Sequence, residues 1–227
     1  MSLDTTRIAV TGFSAGAYSA RAACIYAEPK PAVLMSAYGL GGNMLLDHWT
    51  HGRPATSIAK FVDLDLVPAL LADKTVVSDD TSTGMLSKRF ALTVRWELDG
   101  TMLDGVFGRP GLGAALNAVE YHQRPAVLPA EVKPGFLQFF VTEKHPPSVL
   151  VHGTADEVVV PQESVDHHEK LKSLGVSSKL LLVENGPHGL GAFGADPESE
   201  LVKSSMRAYS TAMDFIAAVF SATSSGK

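Results

Sequence analysis

The sequence predicts an α/β fold, a three-layer α/β/α sandwich around a mostly parallel sheet. Three observations predict it. First, short runs such as "AVLMSAY" (32–38) and "SVLVHG" (148–153) are apolar almost throughout, as strands covered on both faces must be. Second, the pattern runs strand–helix–strand, a long interruption, then strand–helix–strand–helix, which calls for parallel strands with crossover helices on the sheet's faces. Third, 227 residues with 45% apolar composition can bury one sizeable core.

Taken in order, "RIAVTGF" (7–13) is a short apolar strand. "AGAYSARAACIYAE" (15–28) is alanine-rich and predicts a helix able to pack closely on a sheet, stopped by Pro29 and Pro31. "AVLMSAY" is the second strand. Residues 39–147 are punctuated by Gly, Pro and Asp, with helical stretches expected near 57–72, 85–97 and 111–121. No strand set stands out there, so the chain divides into a first core segment (1–38), an inserted cap-like segment of the same domain (39–147) and a second core segment (148–227). In the last, "SVLVHG" is a strand closing on a glycine turn. "PQESVDHHEKLKSLG" (161–175) is a helix with Pro161 near its first turn and Gly175 at its end. "KLLLVE" (179–184) is a strand. A final helix near 198–221 carries Val202, Met206, Tyr209, Met213, Ile216 and Phe220 at steps of three and four, an expected apolar face.

Gly12-Phe13-Ser14-Ala15-Gly16 fits G-x-S-x-G between the first strand and the first helix. An abrupt strand-to-helix turn strains the serine backbone and brings the flanking residues together, so small residues are expected on either side. The turn lifts the serine hydroxyl above the sheet and aims the Ala15 N–H, at a helix N-terminus, toward a developing oxyanion. A serine nucleophile needs a base, and the base an orienting acid. Asp156 in "VHGTADEVV" and His188 in "VENGPHGLG" each follow a strand, 32 residues apart, in the order Ser, Asp, His. All three fall at the C-terminal edge of the strands, where open α/β sheets gather ligands.

Other residues rank below these. His152 reads as support under the Asp156 turn, and Glu157 and Asp166 are weaker candidates for the acid. His167 and His168 are expected on an exposed helix. His48 and His51 flank Trp49, where stacking or solvation outweighs a metal pair. Gly39-Leu40-Gly41-Gly42 has the composition of an oxyanion loop but follows the wrong strand, so a plain flexible loop is expected. Cys24, the single cysteine, reads as a small buried apolar residue and excludes an internal disulfide.

These residues resemble the α/β-hydrolase superfamily, closest to its esterase-like serine hydrolases from fungi and bacteria. The resemblance rests on "RIAVTGFSAGAYSA", "PAVLMSAYGLGG", "RFALTVRWELDGTMLDGVFGRPGL", "PPSVLVHGTADEVVVPQESV" and "VENGPHGLG". It implies a sheet of α/β-hydrolase type with Ser14 as nucleophile, Asp156 as acid and His188 as base. It implies hydrolysis of a carboxylic ester or related acyl bond of a small molecule, with no metal and no organic cofactor. Residues 39–147 would roof the pocket. Phe13, Trp49, Trp96 and Phe107 are the candidate substrate-contacting aromatics, with core packing as the competing role for the last three.

The match begins at the family's fifth strand. The earlier strands and the His-Gly-Gly-type loop that supplies a second oxyanion donor have no counterpart here. The expectation is therefore an N-terminally incomplete sheet with an open edge, either because the chain is a fragment or truncated form of an ordinary hydrolase or because a second copy or a partner chain completes the sheet. The alternative is a truncated or non-catalytic relative acting in binding or assembly. A net charge of −5 without basic clusters argues against nucleic acid as the main partner. No apolar run reaches the roughly 20 residues of a membrane span, and the N-terminus lacks the pattern of a secretion signal. A cytoplasmic location is the resulting expectation.

Overall fold

The computed structural model describes residue 4 and residues 7–73, 88–191 and 194–224. The chain forms two compact units, Met1–Met44 with Phe136–Lys227, and Leu45–Gly135.

The described residues of the first unit form a sheet of four strands in sequential order: β1 (Ala9–Phe13), β2 (Val33–Ala37), β3 (Ser148–Gly153) and β4 (Ser178–Val183). Every pairing is parallel, with Gly12 opposite Ser36, Ser36 opposite Leu150 and Leu150 opposite Leu180. β2 and β3 are buried along their whole length, as their unbroken apolar runs require. Among the described residues β1 and β4 are the edges, and both carry exposed positions.

Strand alternation sorts the side chains into two cores. Val33, Met35, Ala37, Val149, Val151 and Val183 meet Ala212 and Ile216 of α9 (Glu200–Ser224) on one face. Leu34, with Val10 beside it, meets Ala20 and Cys24 of α1 (Gly16–Tyr26) on the other. Leu171 of α8 (Gln162–Ser173) joins Val141 and Val176, with Ile25 of α1 packed against them. The result is helix, sheet and helices in three layers. Cys24 is 1% exposed in its core, and burial pushes its thiol up to about 12.

Two expectations about helices need correction. In α9, Met206 and Met213 are 62% and 57% exposed. The helix instead turns Ala208, Tyr209, Ala212, Ile216, Val219 and Phe220 to the sheet. With Ala212 and Ile216 buried against the sheet, Met206 and Met213 fall outside the contact stripe. In α8, His167 is buried, not exposed: Glu163, Ser164, His167 and Leu171 form the inward stripe at helical spacing.

That inward carboxylate explains a third departure. The Gly39–Asn43 loop after β2 is buried, not a free surface loop. Arg21 donates to the carbonyls of Gly39 and Leu40 at 2.8 and 2.6 Å. Glu163 accepts from the backbone N–H groups of Gly42 and Asn43. Those amides are therefore spent on a structural carboxylate.

Among its described residues the second unit holds six short helices: α2 (Asp47–Thr50), α3 (Val67–Ala72), α4 (Phe90–Asp99), α5 (Met102–Phe107), α6 (Leu112–Asn117) and α7 (Arg124–Val127). No strand occurs among its described residues. The expected helix over 57–72 is broken into two 3₁₀ turns and α3, because Val62 and Asp63 are extended and Pro68 opens α3. Of the stretch expected at 85–97, residues 85–87 lie outside the described residues. Buried Arg124 ties the unit together, donating to the carbonyls of Leu116 and Leu45 and to Asp47. Among the described residues no helix is long and apolar enough to cross a membrane.

Candidate active site

The site stands at the C-terminal ends of β1, β3 and β4. Ser14 follows β1 directly, and its backbone takes φ +52, a left-handed value rare for a residue with a side chain. Its N–H donates to the carbonyl of Ala37 at the end of β2, and its own carbonyl accepts from Leu40. The turn is thus held from the neighbouring strand while α1 starts two residues later.

The two glycines of the motif do different work. A Cβ at Gly12 would lie 2.5 Å from the Ala17 Cα and 2.6 Å from the Gly16 carbonyl oxygen, so α1 can pass only over a glycine. A Cβ at Gly16 would meet nothing within 4 Å. The crowding expected on both sides of the serine exists on one.

Asp156 follows β3, and its loop is drawn against the loop carrying His188. Gly153 makes this approach possible, since a Cβ there would sit 2.0 Å from the Gly186 carbonyl oxygen. Thr154 N–H donates to Val183 and Ala155 N–H to Gly186. Asn185 N–H donates to the Thr154 hydroxyl at 2.8 Å. Past Gly186 the chain turns through Pro187 and reaches His188.

The three side chains meet. The Ser14 hydroxyl lies 2.8 Å from His188 Nε2, and His188 Nδ1 lies 2.8 Å from Asp156 Oδ2. Since the carboxylate only accepts, Nδ1 carries the proton and Nε2 is left to accept from the serine. Asp156 Oδ1 accepts from the N–H groups of Val158 and Val159 at 2.9 and 3.0 Å. Burial by itself would raise the Asp156 pKa. Hydrogen bonds from His152 and His188, the His188 charge and the Val159 N–H outweigh it and hold the carboxyl below its ordinary value. The group is an anion aimed at an imidazole aimed at a hydroxyl, which is the arrangement that makes a serine nucleophilic.

Ala15 is exposed and occupies the N-cap position of α1, where backbone amides lack intrahelical acceptors. Phe13, 47% exposed, packs against Tyr38 with ring centroids 6.0 Å apart. Tyr38 is not announced by any motif. It has φ +40 immediately after β2, and its ring meets the His188 ring edge-on at 4.9 Å. The sequence reading puts Tyr38 at the end of the 32–38 strand, whereas β2 ends at Ala37 and Tyr38 stands just past it.

Trp49, Trp96 and Phe107 belong to the Leu45–Gly135 unit. Trp49 is buried, with the His48 ring at 4.5 Å and the Arg53 guanidinium 5.8 Å from its ring centroid. Trp96 covers Gly105, and Phe107 covers Gly135. His51 Nδ1 lies 3.2 Å from the Thr50 hydroxyl. Among the other candidates, Asp166 bonds Asn43 and Gln162, and Glu157 is exposed.

Comparison with known proteins adds the family. No curated protein matches the chain. Among solved structures, a protein of unknown function from Staphylococcus aureus superposes with a TM-score of 0.56 at 18% identity, covering 95% of this chain and 66% of that one. A sugar hydrolase from Lactococcus lactis gives 0.51 at 16% identity, covering 96% and 61%. The carboxylesterase from Lactobacillus plantarum gives 0.44 at 15% identity, covering 87% and 52%. The chain thus spans between about half and two thirds of the length of these proteins. At such identities the first two likenesses show the fold alone, the α/β fold with a parallel sheet expected from the sequence. The model of the prolyl oligopeptidase family matches residues 98–221, more than half of the chain. The chain belongs to the prolyl oligopeptidase family.

Proposed function

We propose that this protein is a serine hydrolase that cleaves a carboxylic ester or a related acyl bond of a small molecule through Ser14, His188 and Asp156. The observation that carries the reading is the pair of 2.8 Å contacts linking the Ser14 hydroxyl, the His188 ring and the Asp156 carboxylate. Family membership supports it.

Ser14 Oγ attacks the acyl carbon while His188 Nε2 takes the serine proton. The Ala15 N–H, at the start of α1, donates to the oxyanion as the carbonyl bond opens. Collapse of the tetrahedral intermediate breaks the bond to the leaving group, which receives the proton from His188 and departs. Water then attacks the acyl-serine, its proton passing to His188 and on to Ser14 Oγ as the acid is released. Asp156 keeps His188 in the productive tautomer and stabilises the imidazolium at each protonation. Phe13, beside Tyr38 and next to Ser14 in sequence, offers an apolar surface to the acyl or alcohol group.

The test is steady-state hydrolysis of p-nitrophenyl acetate, butyrate and octanoate by the parent and by Ser14→Ala. Turnover by the parent that disappears in Ser14→Ala supports the reading. Equal rates in the two proteins, or no turnover by the folded parent with any of the three esters, count against it.

A further inference from the structure

The Asp156 carboxylate has a second histidine beside it. His152, at the fifth position of β3, is fully buried. Its Nε2 lies 2.8 Å from the Val159 carbonyl oxygen and 3.3 Å from Asp156 Oδ2. Its Nδ1 lies 2.8 Å from the Ser164 hydroxyl of α8, which is also fully buried.

These neighbours settle the tautomer. A backbone carbonyl and a carboxylate can only accept, so Nε2 must carry the hydrogen. In the neutral ring Nδ1 then accepts, and the Ser164 hydroxyl must donate to it. Val159 closes the loop: its carbonyl accepts from His152 while its N–H donates to Asp156 Oδ1 at 3.0 Å. The turn that carries the acid is therefore pinned from β3 through one imidazole, and that imidazole is pinned in turn from α8.

The geometry points to His152 and Ser164 as a positioning pair that fixes the Asp156 carboxylate, so that Oδ2 is presented to His188 Nδ1 as an acceptor of constant direction. The catalytic meaning of this pair rests on the triad reading proposed above. An apolar side chain at 152 would fill the same space. It would also leave the Ser164 hydroxyl and the Val159 carbonyl without these partners, and it would take away the N–H next to Oδ2. The carboxylate would then gain freedom to rotate away from His188. Among the described residues, the titratable groups nearby have partners of their own. On α8, Glu163 bonds the Gly42 and Asn43 amides and His167 faces the His145 ring. Around His188 stand Ser14 and Tyr38, with Tyr209 bonded to Tyr38 behind it.

The test reads the Asp156–His188 hydrogen bond directly. The proton on His188 Nδ1 is followed as a low-field resonance in the proton NMR spectrum, assigned by its absence in His188→Gln. It is compared in the parent, His152→Phe, Ser164→Ala and His152→Gln, each checked for folding by circular dichroism. Gln can place an amide N–H where the imidazole Nε2–H stood. The expected result is an upfield shift or loss of the resonance in His152→Phe and Ser164→Ala, and its retention in His152→Gln. With an ester substrate, kcat falls about 10-fold or more in the first two with KM unchanged, the scale seen when partners behind metal-bound histidines are removed. If His152→Phe does not fold, Ser164→Ala decides by the same criterion. An unchanged resonance in folded variants overturns the proposal, and so does a parent without the resonance. A parent that shows the resonance but hydrolyses no ester removes the triad reading and leaves the positioning result standing.

Discussion

Replacing each motif glycine by alanine separates the two halves of the turn around Ser14. At Gly12 the new Cβ would lie 2.5 Å from the Ala17 Cα, 2.6 Å from the Gly16 carbonyl oxygen and 2.7 Å from the Ala17 nitrogen. All three are backbone atoms, so relief requires α1 itself to move off the sheet. Overpacking of this kind costs about 1–3 kcal/mol, and the absence of a yielding side chain puts Gly12→Ala toward the upper end. At Gly16 the Cβ enters open space in the first turn of α1, and the backbone there is not left-handed. Gly16→Ala should therefore gain up to about 1 kcal/mol from helix propensity. For a chain of this size 1 kcal/mol moves Tm by about 2–4 °C. The melting curve of Gly12→Ala should fall by roughly 4–10 °C, while that of Gly16→Ala should stay level or rise by a few degrees. Equal losses in the two variants, or a Gly12→Ala protein as stable as the parent, would refute the account of why the motif carries its glycines.

Three further outcomes follow from the same structure. Asp156→Asn keeps an oxygen for the Val158 and Val159 amides but presents an NH₂ group to His188, which favours the wrong tautomer; ester turnover should fall by about 10⁴, and the melting temperature should fall as well because the same NH₂ faces the buried His152 Nε2–H. His145 and His167 are kept neutral chiefly by burial, His145 lowered to about 4 and His167 well below its ordinary value. Because the unfolded chain protonates both near 6.5, stability should be full above that pH. It should decline as pH falls toward 4, at about 1.4 kcal/mol per pH unit for each such group. Melts recorded from pH 7 to 4.5 should show this slope, and His167→Leu should flatten it. Cys24 should react with a thiol reagent such as DTNB only after unfolding, since it is 1% exposed and burial pushes its thiol up to about 12.

The sequence was most legible where one local rule determines the outcome. Continuous apolar runs mark β2 and β3 because both faces of each are covered, and G-x-S-x-G marks a turn because Gly12 has a backbone pressed against it. The order Ser14, Asp156, His188 could be read because each residue follows a strand and parallel strands end on one edge. What stayed hidden depends on partners distant in sequence. Helical periodicity could not say that Ala208 and Ala212, and not Met206 and Met213, would face the sheet, since several apolar stripes run along α9 and the packing partner selects one. The polar stripe of α8 looked solvated because nothing local reveals that Glu163 caps amides 120 residues away. Gly39–Gly42 read as a plain flexible loop for the same reason. His152 was visible as support for the Asp156 turn, but its link to Ser164 appears only once α8 packs on β3.

The most direct measurement for the central claim is the site of attack by a fluorophosphonate, which forms a stable bond only with an activated serine. The protein is incubated with the probe, digested, and mapped by mass spectrometry. The account predicts one modified residue, Ser14, with labelling abolished in His188→Gln and in heat-unfolded protein. A folded protein that remains unlabelled at Ser14, or that is labelled there equally well without His188, would contradict it.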